Sequence, residues 1–167
     1  MNIDKAIIVE ISGLGIILYS DFAVSHIGEG DDYFSSNYQT PQQVVQHIRE
    51  GTIVGFSTSS SGRFILKFKS GYPNASEIGS SEFKLRLAIE VRDGRICIRD
   101  LYDLMDWSAK CPDDQHIEVR NGFYHVTLCG NIPDTGILGD DQEIYIYLNK
   151  LDNMPILKYD GVPVFCE

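Results

Sequence analysis

Basic side chains are scarce: 14 Lys and Arg stand against 24 Asp and Glu, a formal net charge of -10. Binding nucleic acid by neutralising phosphates needs the opposite balance, so no direct nucleic-acid contact is expected. Long apolar runs are missing as well. The most apolar stretch, 6–18, is interrupted by Glu10 and is too short to span a bilayer. No small-x-small cleavage site follows it, so the expectation is a cytoplasmic protein with no membrane role. Cysteine is sparse. Cys97, Cys111, Cys129 and Cys166, spaced 14, 18 and 37 residues apart, match no zinc pattern. They are expected as small hydrophobes in a reduced chain, with two disulfides as the alternative.

Catalytic signatures are also lacking. His26, His47, His116 and His125 occur in no metal-ligand spacing, and there is no Gly-x-Ser-x-Gly elbow. Ser12-Gly13-Leu14-Gly15 and Gly28-Glu29-Gly30 read as turns without a phosphate-loop lysine. Cys111 precedes Pro112, Asp113 and Asp114, whose charge is expected to raise its thiol pKa and blunt it as a nucleophile. The expectation is therefore no catalysis, no cofactor and no metal, with an enzyme of unknown class as an alternative.

What is present is an ample core. The 167 residues are 43% hydrophobic and 11% aromatic, enough for one β-rich domain over 1–167. Short apolar alternation broken by Gly, Asp, Asn and Pro is the dominant pattern, and it predicts strands. They are expected at 6–11, 15–19, 22–26, 52–58, 63–69, 82–91, 95–99, 116–120, 123–129 and 143–149. Asp93-Gly94 and Asn121-Gly122 predict two hairpins. In the strand after Gly94, Ile96 and Ile98 are expected inward, with Arg95, Cys97 and Arg99 outward. One helix is clear, with Thr40 as N-cap, Pro41 at its first position, Gln43 closing a capping box and Gly51 ending it. Residues 100–107 show weaker helical spacing. The architecture expected is an antiparallel β-sandwich with one short helix, a partly open barrel being the alternative. The last strand, with Tyr145 and Tyr147 outward, is expected as an edge able to pair two chains.

Charge is segregated along the chain. Residues 1–50 carry seven acids and two bases, 51–100 five and eight, and 101–167 twelve and four. The middle bases fall on polar strand positions, where they keep a sheet face soluble. The acids gather in expected loops: Asp31 and Asp32 beside Tyr33 and Tyr38; Asp103 and Asp106 before Trp107; Asp113 and Asp114; Asp140 and Asp141. Such loops are expected to form an acidic face for a basic protein partner, with Trp107 as central anchor and Tyr33 and Tyr38 as a second patch. A calcium- or small-ligand-binding sandwich module is the alternative, since paired Asp residues supply oxygen ligands.

The order of segments carries a resemblance. Tyr19-Ser20-Asp21-Phe22-Ala23-Val24, Phe64-Ile65-Leu66-Lys67-Phe68, the stretch 89–98 with Gly94 at its turn, and Gly122-Phe123-Tyr124-His125-Val126-Thr127 followed by Pro133 together span about 15–149. In that order they resemble the bacterial competence nuclease inhibitor family, small acidic proteins that hold a DNA-entry nuclease in check. The resemblance implies a non-catalytic inhibitor. Toxin immunity proteins share the same physical description. The helix at 42–50 and the tail after Asn149 depart from the family pattern and are expected as additions that serve a different partner.

Overall fold

A computed structural model describes residues 2–167. Two stacked sheets form a β-sandwich. The five-stranded sheet runs β1 (Asp4–Ile11), β4 (Gly62–Ser70), β9 (Gln142–Leu151), β8 (Gly122–Gly130), β5 (Phe83–Val91). The four-stranded sheet runs β3 (Val54–Ser57), β2 (Gly15–Tyr19), β6 (Arg95–Asp100), β7 (His116–Glu118). One pair departs from the antiparallel expectation: β4 and β9 run parallel, Phe64 opposite Gln142 and Ser70 opposite Leu148. That pairing makes β9 a central strand. Tyr145 and Tyr147 are therefore not on a free edge, and the expected edge for pairing two chains is absent there.

Neither predicted hairpin forms. β5 pairs with β8 and β6 with β2 and β7, so the chain at Asp93-Gly94 crosses from one sheet to the other. At Asn121-Gly122 it crosses back, from β7 to β8. Gly94 has φ +73°, but Asp93 does not share the positive φ that a tight type I′ hairpin turn requires. The two corners are tied together, since the Gly94 N–H donates to Asn121 Oδ1 at 2.8 Å. Residues expected as a strand at 22–26 instead enter a 3-10 turn, Asp21–Val24. Asp93 Oδ2 accepts the Phe22 N–H at 2.6 Å and turns the chain out of the sheet.

The helix α1 (Pro41–Glu50) matches its sequence signals. The Thr40 hydroxyl accepts the Gln43 N–H, the Gln43 side chain accepts the Thr40 N–H, and Gly51 ends it at φ +68°. Val44, Val45 and Ile48 are buried. The helix packs on β5 and β3, the edges of opposite sheets, and the Gly51 carbonyl accepts the Glu90 N–H. The tail closes the same side. Val164 bridges Ser57 of β3, and Phe165 is fully buried against Phe56 and Phe83. Helix and tail thus both help to close the core.

Strand β2 is buried along its whole length. Its outer face is covered by two excursions, 20–53 and 101–115. These carry a π-helical turn, Phe34–Tyr38, and a 3-10 turn, Leu101–Met105. They form a partial third layer, which holds most of the acidic residues singled out above.

Candidate functional site

The register places Ile17, Tyr19, Cys97 and Arg99 on the outer face of the four-stranded sheet. Arg99, expected outward in solvent, is only 5% exposed. Its Nε donates to Asp103 Oδ2 at 2.9 Å, and its Nη1 donates to the Ser108 carbonyl at 2.6 Å and the Tyr19 hydroxyl at 3.3 Å. The guanidinium lies 4.4 Å from the Trp107 ring centroid, and Tyr19 packs on the same indole at 5.6 Å. Burial and the Arg99 contact act oppositely on the Tyr19 phenol, and burial wins, pushing its pKa up.

Trp107 is 1% exposed. It is a core residue, so the expectation that it anchors a partner directly is corrected. The physical reason is the buried cation beneath it, which an aromatic face covers better than water-exposed loop would. Tyr38 is buried too, its hydroxyl donating to the Ile53 carbonyl at 3.1 Å, so it stands on no exposed patch beside Tyr33. Gly55 permits that approach, because a Cβ there would lie 2.5 Å from the Tyr38 hydroxyl. Tyr33 is half-buried, and its hydroxyl bonds His47 Nε2 at 2.8 Å.

What Trp107 does instead is bring two acidic loops together. Its backbone N–H donates to the Asp31 carbonyl at 3.0 Å and its carbonyl accepts the Gly30 N–H at 2.7 Å. The Glu29 carboxylate accepts the Ala109 N–H at 2.5 Å. Residues some 75 apart in sequence thereby share one edge, with Glu29, Asp31, Asp32 and Asp106 exposed along it and Asp103 half-exposed. Asp32 also shapes the backbone, accepting the Ser35 N–H and hydroxyl at 3.0 and 2.6 Å, which hold its carboxyl below the usual range. Glu29 belongs to this face and was missed as a site residue. Its signal was its place two residues before Asp31.

The other predicted acids lie elsewhere. Asp113 and Asp114 are exposed on a turn closed by the Gln115 N–H to the Pro112 carbonyl. Asp140 and Asp141 stand at the start of β9, where Asp141 takes φ +48° and pairs with Arg63. With Asp134, Glu143 and Tyr145 they line a groove of about 490 Å³ at the end of the five-stranded sheet. Among the described residues, no group of three or more His, Cys, Asp or Glu is placed to hold a metal ion.

Cys111 reverses its expectation. The neighbouring Cys97 thiol, then Arg95 and Arg99, lower its pKa, while burial opposes them. It is nonetheless buried, and its thiol donates to the Pro112 and Gln115 carbonyls. No helix among the described residues is long and apolar enough to cross a membrane.

A two-sheet β-sandwich carrying acidic loops over one face is therefore the class of structure in hand. No family model matches the chain, and no curated protein sequence matches it. Two solved structures resemble it. The first is ComJ of Bacillus subtilis, an inhibitor of the DNA-degrading activity of NucA. It has 12% identity and a TM-score of 0.56, with 90% of this chain and 99% of that one covered. The second is the crocagin biosynthetic gene J product, at 13% identity and a TM-score of 0.56, covering 88% of this chain and 97% of that one. At these identities the likeness establishes the shared fold, and the resemblance seen in the order of strand motifs is met by a structure of that kind.

Proposed function

We propose that the protein is a non-catalytic inhibitor that docks its acidic face on a basic enzyme of the nuclease class. The carrying observation is the convergence of Glu29, Asp31 and Asp32 with Asp103 and Asp106 on one edge, locked by backbone bonds across Trp107. A nuclease that grips phosphates presents a positive surface, and a rigid row of carboxylates occupies such a surface without offering a cleavable bond. The structural likeness to ComJ supports the same reading. The partner is a protein. A cytoplasmic setting and a toxin as the blocked enzyme belong to this reading as well.

The test uses the DNA-degrading activity of the native host's extract, titrated with the purified protein. Activity is expected to fall, and to return as salt is raised, because screening slows association of exposed charges. The double variant Asp31→Lys, Asp106→Lys is expected to lose inhibition by at least about tenfold while keeping its circular dichroism. Undiminished DNA degradation at every concentration of folded protein overturns the proposal.

A further inference from the structure

We infer that an apolar pocket beside the acidic edge is the seat for one aromatic side chain of the partner, carried on a Lys- and Arg-rich segment. The inference rests on the docking reading above and names what that face holds. The pocket lies where β3 forms the edge of the four-stranded sheet. Leu14, Phe34, Val44, Phe56, Leu101 and Val162 line about 210 Å³. Small-molecule and cofactor sites run to roughly 300–1,000 Å³. This one is the size of a side chain.

Its chemistry favours an apolar occupant. The lining is apolar apart from Gln39, Ser57 and the Tyr38 hydroxyl. The Ser57 hydroxyl already donates to the Leu14 carbonyl at 3.2 Å, and the Tyr38 hydroxyl to Ile53. Among the lining residues Leu14 is 53% exposed and Val162 43% exposed, so the pocket opens to solvent between two apolar side chains. An aromatic side chain buries about 150–250 Å² and costs little rotamer entropy, so it is the efficient way to fill such a site.

Charge decides which segment carries it. Phe34 stands two residues after Asp32, whose carboxylate bonds Ser35 at the start of the same turn. Leu101 opens the turn that carries Asp103 and leads to Asp106. No charged side chain of either sign lines the pocket. An uncharged apolar seat, flanked along the chain by the exposed carboxylates of Asp32 and Asp106, favours an aromatic carried between cations and disfavours an acidic segment through repulsion. Helix α1 supplies Val44 and the tail supplies Val162.

Two capped peptides test this against the full chain: Lys-Lys-Trp-Lys-Lys and Lys-Lys-Ala-Lys-Lys, with methyl NMR as the readout. The tryptophan peptide is expected to move the Leu14, Val44 and Val162 methyl signals. It is also expected to bind at least about tenfold tighter than the alanine peptide and to weaken as salt rises. Val162→Trp fills the mouth from an exposed position and is expected to abolish the difference. Equal binding of the two peptides, binding of neither, shifts away from the pocket, or tightness insensitive to salt each overturn the inference. The DNA-degradation assay separates the two proposals. If Val162→Trp inhibits as well as the parent protein, the pocket falls and docking through the acidic edge stands.

Discussion

At the scale of single residues the decisive group is Arg99. Its guanidinium serves a carboxylate, a backbone carbonyl and a phenol while lying over the indole of Trp107. Losing it strands Asp103 and the Ser108 carbonyl, and it uncovers an aromatic face. Arg99→Ala is expected to cost about 2–4 kcal/mol in urea unfolding, reduced from a fully buried pair because Asp103 is half-exposed. Arg99→Lys is expected to restore only part of this, since a point charge cannot serve a forked set of acceptors. Trp107 is the one tryptophan. Its emission therefore reports on this site alone, and both variants are expected to shift it to the red. A native-like emission maximum with unchanged stability in Arg99→Ala refutes the account. The alternation around Ile96 and Ile98 was legible, yet the fate of Arg99 was not. The covered outer face of β6 carries Arg95, Cys97 and Arg99, so the strand alternates like one with a wet face, unlike the continuous apolar run usual when both faces are buried.

At the scale of elements, the open side between β3 and β5 is closed twice, by α1 and by the tail. Phe165 sits between Phe56 and Phe83, with its ring 3.1 Å from where a Cβ on Gly130 would stand. Phe165→Ala is expected to cost about 3–5 kcal/mol, the usual range for removing a fully buried phenylalanine ring. A chemical-denaturation midpoint within error of the parent protein's would show the tail to be an appendage after all. The sequence marked α1 clearly because caps are local: Thr40, Pro41, Gln43 and Gly51 each act on backbone within four residues. Nothing local marked Phe165. Its tail is rich in Pro, Gly and Asp and looks like loop, and its strand-like contact is one bridge to Ser57, more than a hundred residues away. The same limit hid the pocket. Leu14 and Val162 read as unremarkable residues near turns until the fold set them at one mouth.

At the scale of the whole molecule, acidity and stability meet in the pH dependence. His125, in β8, is held below its ordinary pKa by burial and then by Arg86, so folding disfavours its proton. Asp32 and Glu77 are held below theirs by hydrogen bonds, Glu77 from the Asn74 N–H and the Tyr147 hydroxyl. All three folded pKa values are depressed. The unfolded chain binds more protons in each window, so stability is lost as pH falls. The loss is expected to begin near pH 6.5 with His125 and to resume below about pH 4.3 with the carboxylates. His125→Gln is expected to flatten the first step and leave the second. Urea midpoints measured from pH 8 to pH 3 check this, and a stability that rises between pH 6.5 and pH 5 contradicts it. The net charge of -10 acts the other way at neutral pH, by repulsion that salt screens.

Composition and spacing alone determined that the chain builds a β-rich core, that α1 runs from Pro41 to about Gly51, and that the excess charge is acidic. These properties are local or additive, and a residue carries them wherever the chain goes. Which strands pair was decided only in three dimensions. Asp93-Gly94 and Asn121-Gly122 specify a reversal, but a reversal within a sheet and a corner between sheets use the same residues. The choice falls to whichever partners bury the most apolar area, here β8 for β5 and β2 for β6. That choice, with the third layer it leaves room for, sets Trp107 inward and Glu29, Asp31, Asp32 and Asp106 on one exposed edge. Acidity was written in the sequence; the acidic face was made by burial of the groups beneath it.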